Sequence, residues 1–177
     1  MMRADVTDEA TPSMPSMPGL AELYVRHAPG AVGLAYLLTG NRHLAEDLAQ
    51  EAFVRLAGRF GHLRNPDRFE AYLRRTVVNL FLSHLRRLRL ERAYLAREGS
   101  SSSTAGAGEP DVATRDELWA ALHRLPDRQR AAVILRYYQD LSEREAAEAM
   151  GCSEAAVRSL VARGMETLRQ LMRGDER

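Results

Sequence analysis

Asp140–Arg169 reads DLSEREAAEAMGCSEAAVRSLVARGMETLR. Two helix-start signals lie in it, Ser142 and Ser153, with Gly151 between them. Ser142 followed by Glu145 is an S-x-x-E capping box, in which each side chain accepts a backbone N–H that the first turn leaves unpaired. It predicts a short helix over 143–150 that buries Ala146, Ala147 and Met150. Gly151 suits the left-handed cap that ends such a helix, and Ser153 caps a new one. Val157, Leu160, Val161, Gly164, Leu168 and Leu171 then recur at helical spacing and form one apolar stripe. A short helix, a tight turn with glycine and a longer helix make a helix-turn-helix.

The opposite face of the second helix carries Ala155, Ser159 and Ala162, flanked by Arg158 and Arg163. Small residues allow close approach, and arginines at the edges suit phosphates or guanine edges. A helix N-terminus adds backbone donors for a phosphate. The same pattern also fits a plain helical hairpin with a solvated polar face.

Working outward, Leu118, Ala121, Leu122 and Leu125 form an apolar stripe, Pro126 opens the next helix, and Val133, Ile134 and Tyr137 are expected to face inward. Residues 98–111, EGSSSSTAGAGEPD, are Ser/Gly/Ala-rich with no core-forming residue, which predicts a flexible linker between domains. Before it, residues 74–97 hold seven arginines, one histidine and a single acid, Glu91. The whole chain has 25 basic and 24 acidic residues, so the case for nucleic acid rests on this concentration and not on net charge. All the basic residues are arginine, a bias that fits GC-rich coding. Arginine also brings a planar fork suited to phosphate and guanine.

Further upstream, Leu20, Leu23, Tyr24 and His27 share a face, and Pro29-Gly30 is expected to kink or break their helix. Ala31–Leu38 continues to a glycine cap at Gly40, and Arg42 to Phe60 forms another helix with Leu44, Leu48, Phe53 and Leu56 on one side. Residues 61–69 are expected to loop to Pro66 or Asp67, where the arginine-rich helix starts. No segment alternates like a strand. The expected fold is all-α, with two small helical domains on a flexible linker, the second containing the helix-turn-helix. The boundaries are a disordered tail over 1–18, helical domains over 19–97 and 112–177, and the linker over 98–111.

One cysteine, Cys152, makes no internal disulfide and no CxxC site, which fits a reducing compartment. The polar N-terminus is not a signal peptide, and the longest apolar run, AVGLAYLLTG, is too short to span a bilayer. A cytoplasmic protein is expected, without membrane insertion. His43 and Glu46 sit three apart, but a metal site needs a second such pair on another helix, so none is expected. The five histidines are scattered and no phosphate-loop motif occurs, which leaves no catalytic residue, no enzyme and no cofactor to propose.

Two blocks in this order, with a variable linker between them, resemble the extracytoplasmic-function (ECF) sigma factors of bacterial RNA polymerase. In HLAEDLAQEAFVRLAGRF, residues 43–60, Asp47, Gln50 and Glu51 stand at the family's D-x-x-Q-E positions. The resemblance implies that this helix docks on the clamp of the polymerase β′ subunit through Asp47, Leu48, Gln50, Glu51 and Val54. Helical spacing puts Asp47, Gln50 and Glu51 on one face, where their oxygens suit arginines of a partner. FEAYLRRTVVNLFLSHLRR resembles the −10 region, with Tyr72 where tryptophan is usual and Ser83 where aspartate is frequent. It implies DNA contacts by Arg74, Arg75, Asn79, Ser83, Arg86 and Arg87, with a flipped base of the non-template strand captured there. The last block resembles the −35 domain and implies contacts by Arg144, Ser153, Ala155, Arg158, Ser159 and Arg163. Ala156, Leu160 and Met165 replace polar or charged residues common in the family.

The expected function is that of an alternative sigma factor, which binds core RNA polymerase at the β′ clamp and β flap and directs it to −10 and −35 promoter DNA. An anti-sigma factor is a further partner the family implies, although no residue pattern here identifies one. The alternative is a helix-turn-helix regulator that acts without polymerase, for which the acidic helix has no use.

Overall fold

The computed structural model describes residues 19–58, 68–97 and 117–174. Among these residues the chain forms seven α-helices and one π-helical turn, with no strand. The helices are α1 (Leu20–Thr39), α2 (Arg42–Ala57), α3 (Phe69–Arg97), α4 (Glu117–Arg124), α5 (Asp127–Val133), α6 (Glu143–Met150) and α7 (Glu154–Gly174), with the π turn Ile134–Tyr138 after α5. The expected tail over 1–18, the linker over 98–111 and the loop to Pro66 lie outside the described residues.

Helices α1, α2 and α3 pack on one another around Leu34, Leu38, Phe53, Phe69, Val77 and Phe81. α1 does not break at Pro29; it runs on from Leu20 to Thr39. Pro29 and Gly30 lie on the exposed side, and the carbonyl that a proline at 29 leaves without its helical donor belongs to exposed Val25, within reach of solvent. Leu23 before the proline and Ala31, Leu34 and Ala35 after it are buried in the same core, so packing carries the helix through the proline. The Asn41 side chain starts α2 by accepting from the Leu44 N–H, a cap that the hydrophobic pattern does not reveal.

In the second half, α4 packs on α7, and α5 and α6 pack beside it. Two inward assignments are corrected here. Leu118 is 46% exposed, because Trp119 takes the inward place and stacks on Tyr36 of α1. Tyr137 is 65% exposed. The π turn, closed by Gln139 N–H donating to the Ile134 carbonyl, inserts a residue into the helix and rotates the phase, so Ile134 and Leu135 are buried while Tyr137 swings out.

The helix-turn-helix forms as its caps dictate. Ser142 and Glu145 make the reciprocal capping box, Gly151 is left-handed with φ 61°, and Ser153 Oγ accepts from Ala156 N–H. The two hydrogen bonds from Ser142 hold the Glu145 carboxyl below its ordinary range. Gly164 lets α7 approach α5, since a Cβ there would lie 2.8 Å from Val133 Cγ2. Gly164→Ala gains about 1 kcal/mol of helix propensity but overpacks a stiff buried valine at about 1–3 kcal/mol. A net loss of stability is expected, read as a lower melting temperature; an unchanged or higher one would contradict this packing.

The two halves share one buried cluster. Val77, Phe81, Leu141, Ala146, Ala149 and Met150 belong to it, with α6 lying on α3. Arg130 of α5, charged yet 6% exposed, joins them. Beside it, the His123 ring packs at a tilt of 54° against Trp119, with ring centres 4.6 Å apart, and its Nε2 is buried without a hydrogen-bond partner. Burial, and then the Arg130 charge, lower the His123 pKa to about 4. The unfolded chain takes up this proton near the ordinary value of about 6.5, before the folded chain does. Stability is therefore expected to fall as pH drops from about 6.5 toward about 4. His123→Phe should flatten that part of the melting temperature–pH curve; an unchanged slope would remove His123 from the account.

Candidate polymerase and nucleic-acid interface

The acidic face of α2 is built by the burial of its opposite side. Ala45, Leu48, Ala49, Ala52, Phe53 and Leu56 are in the core. Asp47, Gln50, Glu51 and Val54 therefore point to solvent together, Val54 with 62% of its surface exposed. Arg55 Nε donates to Glu51 Oε1 at 2.8 Å and orients that carboxylate. Leu48 is the exception among the expected contact residues: it is buried and supports the face from beneath. Tyr24 of α1, half-exposed, packs edge-on against Phe53 and continues this surface with an apolar edge.

α3 places its expected DNA residues in two groups. Arg74 is tucked in, with Nη2 donating to Glu70 at 2.8 Å and Nε donating to Gln139 Oε1 of the second half at 3.3 Å. Arg75 lines a shallow groove with Arg144, Cys152, Ser153 and Glu154 of the helix-turn-helix. Asn79, Ser83 and Arg86 expose their side chains one turn apart, with Arg87 on the outer side paired to Glu91 at 3.5 Å. These three line a cleft of about 380 Å³ whose far wall is Asp127, Arg128, Met150 and Gly151. Asn79, Ser83 and Arg86 are thus brought face to face with the second half.

On α7, Ala155, Arg158, Ser159, Ala162 and Arg163 are all exposed, a ridge of small residues with arginines on its flanks. Val157 and Leu168 hold the opposite side in the core. Arg158 Nη1 donates to Glu143 Oε2 of α6 at 2.7 Å, and Arg144 lies 3.9 Å from Glu148. Ser153 is occupied as a cap, so its hydroxyl sits at the helix N-terminus where a phosphate would approach. An acidic docking face and an arginine-flanked helix-turn-helix in one chain suit a protein that joins a basic partner to DNA.

Two protein-family models match in the same order. Sigma-70 region 2 covers residues 23–91, and Sigma-70 region 4 covers residues 115–168. The ECF RNA polymerase sigma factor SigE of Mycolicibacterium smegmatis is 37% identical over 171 residues, covering 93% of this chain and 65% of its own length. The chain belongs to the ECF sigma factors. This sigma factor is also 32% identical to CarQ of Myxococcus xanthus over 152 residues, 85% of this chain and 87% of that protein. It thus spans about two thirds of SigE and most of CarQ. Among solved structures its fold is similar to the sigma factor RpoE in complex with the anti-sigma factor NepR from Bartonella quintana. That likeness has a TM-score of 0.67 at 22% identity, over 86% of this chain and 96% of that one. CnrH, solved with the cytosolic domain of CnrY, gives 0.61 at 24% identity over 88% of each chain. These two likenesses speak to the fold of this sigma factor.

Sequence reasoning missed the residues at the junction of the halves: Tyr36, Trp119, His123 and Arg130. Two signals point to them. Trp119 is the one tryptophan of the chain, and Arg130 sits on the inward phase that Val133 and Ile134 define.

Proposed function

We propose that this sigma factor binds core RNA polymerase and directs it to promoters. The α2 face of Asp47, Gln50, Glu51 and Val54 docks on the β′ clamp, and the second half reaches the β flap. Asn79, Ser83 and the arginines of α3 read the −10 element as single strand; Arg144, Arg158, Ser159 and Arg163 hold the −35 duplex. In this reading residues 19–97 and 112–177 are separate domains, 98–111 is the tether and 1–18 a tail. The protein contributes binding and positioning in the cytoplasm, and the polymerase performs the covalent chemistry. An anti-sigma factor is a further partner, of the kind that accompanies RpoE in its solved structure.

The observation that carries this reading is the α2 face. Three polar side chains with acceptor oxygens, two of them carboxylates, stand together on a helix whose other side is buried. A plain DNA-binding regulator gains nothing from repelling phosphates there. The test is co-migration of the purified chain with core polymerase on a sizing column without DNA. A stable 1:1 complex is expected. A dimer that binds duplex DNA and ignores the polymerase would overturn it.

A further inference from the structure

We propose that the chain carries its own latch: Arg130 pins α4 and α5 onto α1 and α3, and the pinned state shuts the strand-reading face of α3. The shutting, though not the pin, rests on the reading of α3 given above.

The pin is a guanidinium shared between the halves. Its Nε donates to the Leu38 carbonyl of α1 at 2.9 Å. That carbonyl lies in the last turn of α1, where acceptors lack partners within the helix and the dipole end is negative. Within its own half, Nη1 donates to the His123 and Leu125 carbonyls at 3.3 and 3.4 Å, and Nη2 pairs with Asp127 Oδ1 at 2.9 Å. The guanidinium carbon stands 5.6 Å from the centre of the Phe81 ring of α3. A charge so buried is tolerated because each side supplies partners, and only docking brings both sides together. Burial lowers the Arg130 pKa, and Asp127 opposes this.

Three further links cross the same junction. Tyr36 of α1 stacks on Trp119 of α4 with ring centres 5.0 Å apart. Arg89 of α3 pairs with Asp127 at 2.6 Å. Arg74 donates to Gln139. Asp127 is thus common to the pin and to an outer ion pair.

The consequence falls on the face opposite α6. Asn79, Ser83 and Arg86 look into the cleft walled by Arg128, Met150 and Gly151, and α6 lies along α3. A nucleic-acid strand that follows the backbone of several nucleotides needs a groove open along its length. In the pinned state the second half walls that route along one side, while the α2 face of Asp47, Gln50 and Glu51 has no such wall. The closed chain is therefore ready for a protein partner and closed to single-stranded DNA.

The test uses the full chain with three separate substitutions: Arg130→Met, Asp127→Asn and Tyr36→Ala. Helicity by circular dichroism, radius of gyration by small-angle scattering and Trp119 emission are measured without DNA. Binding of a labelled mixed-sequence single strand is measured at low salt. Arg130→Met is expected to keep its helicity, enlarge the radius and shift Trp119 emission to the red. If the closed form is about nine chains in ten, opening raises apparent single-strand affinity about ten-fold. Asp127→Asn should move the same quantities less. Tyr36→Ala removes the Trp119 partner directly, so its radius is the reading to use. Should Arg130→Met lose helicity, the other two decide. Variants that stay helical with the wild-type radius overturn the latch. A larger radius with no gain in single-strand binding leaves the latch standing and overturns the assignment of the α3 face.

Discussion

Replacing Asp47 and Glu51 together by alanine is expected to weaken binding to core polymerase about a hundred-fold while leaving thermal unfolding nearly unchanged. Both carboxylates stand on the exposed side of α2, and no core residue rests on them. Each is placed to accept charge-assisted hydrogen bonds, worth about 1.5–3 kcal/mol apiece. Losing two of them removes about 3 kcal/mol, or roughly two powers of ten in Kd. The folded chain loses the Glu51–Arg55 pair, an exposed i,i+4 contact of the kind that contributes about 0.3–0.5 kcal/mol. Alanine also favours the helix. Titration of labelled protein against core polymerase reads the loss, and circular dichroism reads the fold. Wild-type affinity in the double variant would remove the α2 face from the polymerase interface. Lost helicity would show that the carboxylates serve the fold instead.

Local signals in the sequence led to the elements they control. The Ser142–Glu145 box, Gly151 and Ser153 each act within a turn, and each is found in its expected role. The exposed faces of α2 and α7 were legible for the same reason: a helix that buries one stripe must expose the other. Pro29 does not end α1, because the cost of a proline depends on whether solvent reaches the orphaned carbonyl, which is set by the tertiary position of α1. Tyr137 misled because periodicity assumes a constant turn, and the π turn breaks it. The junction left only two hints in the sequence, the lone Trp119 and the inward phase of Arg130. What Arg130 meets there is Leu38, Phe81 and Asp127, and two of those three lie in the other half of the chain. Its partners are defined by docking, so no local pattern announces them. The same docking explains why the cleft lined by Asn79, Ser83 and Arg86 went unforeseen.

Arg158→Ala is expected to weaken binding to upstream promoter duplex about ten- to a hundred-fold, in the range of about 1–3 kcal/mol for an arginine contact to a base or phosphate. Binding to single strands should change little. Arg158 stands on the exposed ridge of α7 with 57% of its side chain accessible, next to Ala155, Ser159 and Ala162. The small neighbours let the ridge enter a major groove, and the guanidinium then sits at its rim. In the free protein Glu143 holds that guanidinium at 2.7 Å. The acid therefore competes with DNA for the same fork, and Glu143→Ala should bind duplex at least as tightly as the wild type. The two changes separate contact from fold, because neither side chain belongs to the buried cluster. Salt dependence separates the two kinds of contact. If Arg158 meets a phosphate, its loss lowers the slope of log K against log salt by about 0.9 and affects all sequences alike. If it meets a base edge, the slope holds and discrimination at one position relaxes. Equal losses on duplex and single strand would place Arg158 outside the −35 contact. Weaker duplex binding by Glu143→Ala would show that the ion pair positions the guanidinium for DNA and does not compete with it.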